Sequence, residues 1–359
     1  MKNGIIKLLC TSLFLLLFSP HFAHAASDEW TWLYKKTFTQ QEIAEGERHK
    51  GIILEKVVTV PFTQLMISWN AVRPEEGYYA FWVQSRNAHT KKWGSWHKMI
   101  DWGAHVQRSY LSNKSGEPSY LHVRLETGEQ NPADGFRLKI VMHEGALLRD
   151  MQSIFIALSD FTKFKPETIA RATLASVLIK DVPQKAQLSL QHPRNNGLCG
   201  PTSCSMLLSY LTKRNVDPVE FAEKSYDVGL NAYGSWPFNI AHAFEQAQGT
   251  VAFAVARMSS FEALHQRLQQ GIPVVVSVRG YLKDAPKSYD RGHFIVVIGW
   301  DARRQQVICL DPAFEQEADT LKRYQLDSFL AAWERSHRLA YIAEPLGQEG
   351  DVLYEGFEG

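Results

Sequence analysis

The sequence predicts an α+β protein made of two unlike halves. The first is an N-terminal antiparallel β-sandwich, and in the second, helices come first and pack on an antiparallel sheet. Three observations lead to this reading. Short alternating or apolar runs recur through the first 150 residues, split by turn signals. Helical periodicity dominates from about residue 200, ahead of strongly apolar strands. Seven of the ten tryptophans, Trp30, Trp32, Trp69, Trp82, Trp93, Trp96 and Trp102, lie before residue 150.

Residues 1–25 read as an export signal. Lys2 and Lys7 give a basic start, residues 8–18 an apolar core too short to span a bilayer, and Ala23-His24-Ala25 a small-x-small cleavage site before Ala26. The expected location is therefore secreted or periplasmic. No later run reaches about 18 apolar residues, so no membrane span is expected after cleavage. The chain carries 39 Lys and Arg against 38 Asp and Glu; losing Lys2 and Lys7 leaves 37 against 38, a charge of −1. That balance excludes the basic footprint of a nucleic-acid binder.

In the first half (26–150), strands are expected over 52–60, 64–70, 78–85, 97–102, 120–126 and 137–143. Turn signals at 73–77, 113–116 and 131–135 separate them. Several short strands at regular spacing suggest the sandwich. Its tryptophans, Trp93-Gly94-Ser95-Trp96 among them, are expected mainly in the core. Exposed rings would instead form a stacking platform for a cell-surface glycan or peptide. The stretch 151–185 reads as linker. In the second domain (186–345), helices are expected at 201–213, 218–225, 236–247, 259–270 and 326–335, and strands at 251–255, 273–278, 293–300 and 306–310. The tail 346–359 is acidic and expected to be disordered.

The chemistry centres on Asn196-Gly197-Leu198-Cys199-Gly200-Pro201-Thr202-Ser203. A glycine turn leads to a cysteine at the start of an amphipathic helix, with Pro201 suited to a first helical position. Unpaired N–H groups and the helix dipole favour a thiolate there, as a nucleophile requires. Such a nucleophile needs a base and a group that orients the base. His293 follows Gly292 at the start of an apolar strand, and Gly292 leaves room for a ligand. Asp311 lies 18 residues later, the length of a hairpin, so adjacent strands can bring the two together. The Cys199 backbone N–H and the Gln191 amide are candidate oxyanion donors, with Asn195 and Asn196 as rivals. Three cysteines remain after cleavage, Cys199, Cys204 and Cys309; the last two could pair or simply be buried. No Cys and His spacing suits zinc, and neither a metal nor an organic cofactor is expected.

Residues 186–345 resemble the bacteriocin-processing (C-39-type, papain-like) cysteine peptidases, and more closely their stand-alone secreted C-39-like relatives. The matching pieces are Cys199-Gly200-Pro201-Thr202-Ser203, Gly292-His293-Phe294 with 296–301, and Leu310-Asp311-Pro312. The resemblance implies a Cys199, His293 and Asp311 triad, with an upstream glutamine, here Gln191, lining the oxyanion hole. Gln191 stands eight residues before Cys199, where six is common in papain-like enzymes. Residues 68–70 and 93–96 are similar to the β-rich domain ahead of the peptidase in some secreted members. The chain lacks GxxxxGK[ST] and long apolar runs, so processing of double-glycine leaders is not implied. The expected activity is hydrolysis of peptide or isopeptide bonds in a peptide or protein substrate. Acyl transfer by the same triad is one alternative, and a non-catalytic binding protein for cell-surface peptide or glycan is another.

Overall fold

A computed structural model of the chain describes residues 29–113, 116–169, 172–345 and 355–356. The expected export signal, and all of the tail except Glu355 and Gly356, lie outside the described residues. The first half runs β1 (Thr31–Lys36), α1 (Gln40–His49), β2 (Gly51–Phe62), β3 (Gln64–Ala71), β4 (Tyr78–Asn87), β5 (His97–Gly103), β6 (Gln107–Ser109), β7 (Ser119–Leu121), β8 (Arg124–Glu126), β9 (Ala133–His143) and β10 (Met151–Ser159). The second half starts with β11 (Val177–Leu178), α2 (Cys199–Thr212), α3 (Pro218–Ser225), α4 (Trp236–Gln246), β12 (Val251–Arg257), α5 (Phe261–Gln269) and β13 (Val274–Gly280). It continues with β14 (Tyr289–Asp301), β15 (Gln306–Leu310), β16 (Leu321–Gln325), α6 (Leu326–Glu334) and β17 (Leu339–Pro345), and β18 (Glu355–Gly356) follows. Among the described residues, no helix is long and apolar enough to cross a membrane.

Three sheets organise these strands. Two form the N-terminal β-rich region, in the orders β18-β1-β10-β3-β8-β7 and β2-β9-β4-β5-β6. Their pairings are antiparallel except for the short β1–β18 contact, where Tyr34 pairs with Glu355. That contact places part of the tail, expected to be disordered, on a sheet edge. The inner faces of the two sheets share one core: Leu65, Ile67 and Trp69 of β3 and Ile154, Ile156 and Leu158 of β10 meet Phe81, Val83, Phe136 and Leu138. Alternation puts these side chains on one face of each strand.

Segment 120–126, expected as one strand, is a hairpin. His122 and Val123 both have positive φ (47° and 60°) and turn β7 into β8. Two successive positive φ values match the right-handed twist of a tight hairpin. The turn lacks the usual glycine or asparagine, which hid it in the sequence. Helix α1 was also unforeseen, although Thr39 and Glu42 form a capping box at its start.

The expected linker 151–185 opens instead with β10, which sits between β1 and β3. Its run reads as continuously apolar because both of its faces are covered. Ile154, Ile156 and Leu158 enter the sandwich core, while Phe155 and Ala157 join the core of the second half, along with Leu33 and Met66. A strand buried on both sides loses the alternation that marks a half-exposed one. At the other end of the stretch, Val177 and Leu178 pair with Trp300 and Gly299, so the second domain begins ahead of residue 186.

The second domain is a seven-stranded sheet, ordered β12-β17-β13-β14-β15-β16 with β11 added against β14. The five helices and four strands expected here appear within a few residues of their predicted bounds. Strands β16 and β17 complete the sheet. Helix α4 is wedged between the halves: Phe238 and Ala241 enter the sandwich core, and Ile240, Ala243 and Phe244 the other.

The tryptophans divide by position. Trp30, Trp69 and Trp102 are buried. Trp82, Trp93 and Trp96 are partly exposed and lie under cations. Arg137 stands 4.0 Å from the Trp93 ring centre, and Lys139 lies 4.9 Å from Trp82 and 4.8 Å from Trp96.

Candidate active site

Helix α2 opens at Cys199, two residues earlier than Pro201 suggests. The N-cap residue, Leu198, provides no side-chain acceptor, so the first N–H groups of α2 are not capped from that position. Gly200 is required by close packing. A Cβ there would come within 2.7 Å of the Asn239 amide nitrogen on α4 and 3.6 Å of the Phe294 ring. The helix is tied to β14 beside the site, where the Ser203 hydroxyl donates to the Phe294 carbonyl at 3.0 Å.

The structure brings together Cys199, His293 and Asp311. Cys199 is partly exposed, while His293 and Asp311 are buried. His293 Nε2 lies 2.8 Å from Asp311 Oδ1. The Cys199 thiol is the other group coupled to the imidazole, and each shifts the proton affinity of the other. Strands β14 and β15 are antiparallel neighbours, as the 18-residue spacing predicted, with Val296 opposite Leu310.

Three pKa shifts follow from this arrangement. Burial works against the Cys199 thiolate, but the His293 hydrogen bond and charge, helped by the N–H groups of Phe294 and Gly200, bring the thiol below its ordinary value. Burial would likewise depress His293. The Asp311 carboxylate outweighs it, aided by Cys199, and pushes the imidazole up to about 9. Asp311 itself is fully buried, yet His293, Tyr289 and the Ala313 N–H hold it below the usual carboxylate range. A thiol held low beside an imidazole held high favours a thiolate–imidazolium pair. Such a pair is equipped to attack a carbonyl carbon and then protonate a leaving amine.

Cys204 and Cys309 are buried free thiols, not a disulfide, and burial pushes both thiols up. Of the amides upstream of Cys199, Gln191 is exposed. Gln187, unremarked in the sequence, is buried and donates from Nε2 to the Asn195 and Asn196 carbonyls at 3.0 and 3.1 Å. It thereby fastens the turn that delivers Cys199. Asn195 spends its own amide on the Leu188 carbonyl. Asn196, like Gln191, is exposed.

The segment after α3 borders the nucleophile and is gripped by the N-terminal half. Gly234 Cα lies 3.7 Å from a Cβ built on Gly200. Upstream in the same segment, buried Asp227 accepts from the Ser109 N–H at 3.0 Å and the Ser109 hydroxyl at 2.6 Å. Gln107 donates to the Lys224 and Tyr226 carbonyls.

Residues 179–341 match the Peptidase_C39 like family. The crystal structure of xylellain, a cysteine protease from Xylella fastidiosa, is similar over 51% of this chain and 91% of that one, at 11% identity and a TM-score of 0.36. No curated protein matches the chain. The chain thus carries, over residues 179–341, a domain that belongs to the C39-like cysteine peptidases.

Proposed function

We propose that this protein is an exported cysteine hydrolase that cleaves peptide or isopeptide bonds. Cys199 attacks the amide carbonyl as a thiolate. His293 holds the thiol proton and returns it to the leaving amine, while Asp311 fixes the imidazole with Nε2 toward itself and Nδ1 toward the sulfur. The resulting acyl-enzyme is released by water. The oxyanion faces the start of α2, where the Cys199 N–H is one donor and Gln191 the proposed second. The observation that carries this reading is the 2.8 Å contact of His293 Nε2 with buried Asp311, beside a Cys199 thiol that His293 lowers at a helix N-terminus. Export rests on Lys2, Lys7, the apolar run 8–18 and the small residues before Ala26.

The test is product analysis by mass spectrometry after incubating the full-length protein with a mixed peptide library. Hydrolysis products that vanish in both Cys199→Ala and His293→Ala support the reading. Products that appear only as amides of an added amine would replace hydrolysis with acyl transfer. Activity that survives Cys199→Ala would sink both. For export, N-terminal sequencing of the protein from its source cells should read from Ala26, and an intact Met1 would overturn it.

A further inference from the structure

Asp311 is a carboxylate with no exposure, and its ion-pair partner among the described residues is His293. Such a group needs every lone pair satisfied to stay ionised. Its Oδ1 takes His293 Nε2 at 2.8 Å and the Ala313 N–H at 3.0 Å. Its Oδ2 takes two phenolic hydroxyls, Tyr289 at 2.6 Å and Tyr324 at 2.7 Å. Tyr324 is fully buried and Tyr289 nearly so. Tyr289 has a second contact, since its ring stacks on the His293 imidazole with centroids 4.0 Å apart and planes 20° apart.

We propose that Tyr289 and Tyr324 are positioning residues of the active site, a two-hydroxyl clamp that keeps Asp311 ionised and aimed at His293. This rests on the triad reading above. The chemistry of the clamp is one-sided. With Oδ1 also donated to by the Ala313 N–H, the phenols must donate to Oδ2, and both tyrosines lie well above their ordinary pKa because burial and the Asp311 charge oppose phenolate. They therefore remain donors throughout the working pH range. Two neutral donors on Oδ2 spread the carboxylate charge without adding a competing cation. Proton transfer from the imidazolium to Asp311 is disfavoured, so His293 keeps the proton it must deliver to the leaving group. Tyr289 also walls one face of the ring, so the imidazole cannot swing away from Cys199.

The backbone is built to make this contact. Tyr289 and His293 are four residues apart on β14, about 13 Å along a regular strand. On β13 their partners, Gly280 and Val278, are only two apart. Residues 290–292 therefore bulge, and Gly292 takes φ +88° within the bulge. The detour folds Tyr289 back over His293.

The test is the pH dependence of iodoacetamide alkylation at Cys199, followed by mass spectrometry, in the wild type, Tyr289→Phe, Tyr324→Phe and the double variant. Phe keeps the ring and removes only the hydroxyl. Each single change should raise the apparent thiol pKa and lower kcat/KM about tenfold, with a larger loss in the double variant. Tyr324→Phe isolates the hydroxyl contact, and Tyr289→Leu adds loss of the stack. A clamp that served stability alone would lower Tm and leave the thiol titration where it was, and that result, in a folded double variant, overturns the proposal. Failure of the triad reading looks different: Cys199 of the wild type would itself titrate like an ordinary thiol near pH 8.5.

Discussion

Asn70 of the N-terminal half closes a two-bond pair with the backbone of Phe253 in the second half. Its amide donates to the Phe253 carbonyl at 2.9 Å and accepts from the Phe253 N–H at 2.8 Å. Phe253 lies on β12, the outermost strand of the seven-stranded sheet, whose outer edge would otherwise be open. Ser68, two residues earlier on β3, accepts from the Val255 N–H at 3.0 Å, and Gln64 accepts from Arg257. Side chains on alternate positions of β3 thus stand in for the missing neighbour strand, while Trp69 between them points into the sandwich core. This is one way to cap a sheet edge that would invite aggregation. It makes the β-rich half a structural partner of the peptidase domain.

Asn70→Ala should therefore destabilise the whole chain. It strands a buried N–H and a buried carbonyl at Phe253, at about 1–3 kcal/mol for each unsatisfied group. Urea unfolding monitored by tryptophan fluorescence should show a lower midpoint in a single transition. Two separate transitions, with only the first shifted, would mean the halves are not coupled through this seam.

The three thiols should react in a fixed order. Cys199 is partly exposed and its thiol is lowered by His293, whereas Cys204 and Cys309 are buried and raised. Native protein treated with iodoacetamide at neutral pH should carry a single adduct, at Cys199, and His293→Ala should slow that reaction by tenfold or more, about one pKa unit. Comparable labelling of Cys204 or Cys309 in folded protein would contradict the burial described above.

The alkaline limb of the pH–rate profile belongs to His293. Its pKa is raised to about 9, chiefly by Asp311 acting against burial. The imidazolium needed to protonate the leaving group is present below that value and lost as pH rises through it. The same shift stabilises the fold. A raised pKa contributes fully below the unfolded value of about 6.5, and the contribution disappears between 6.5 and 9. The stability gap between wild type and His293→Ala should accordingly narrow across that window, as read by Tm at fixed ionic strength. A gap that widens with pH would reverse the assignment.

Gly292→Ala should harm the site for a conformational reason. Space is available, since the nearest atom to a Cβ there is Ser277 Oγ at 4.0 Å. The obstacle is φ +88°, a backbone region that costs an L-residue about 1–2 kcal/mol. The expected result is a lower Tm together with slower Cys199 alkylation, because relaxing the bulge withdraws Tyr289 from His293. Unchanged alkylation would show that the bulge does not position the imidazole.

Much of this protein is local, and its sequence determines that part. Helical spacing of apolar residues located the helices of the second half, and short continuous apolar runs located most of its strands, which are buried on both faces. The Cys199 helix start, the His293 strand and the Asp311 strand end were legible from those runs and the turn residues beside them, and an 18-residue hairpin constrains where two of them meet. What lay beyond the sequence depends on contacts distant in the chain. Strand β10 lost its alternation because a second domain covers its outer face. Tyr289 and Tyr324 carry no signal of their own, since a tyrosine in a strand reads as packing until a fold sets its hydroxyl against a buried carboxylate 22 or 13 residues away. The same holds for Gln187, whose amide meets carbonyls 8 and 9 residues on. Local preference determines which residues form an element, whereas only tertiary packing decides which buried polar groups must satisfy one another.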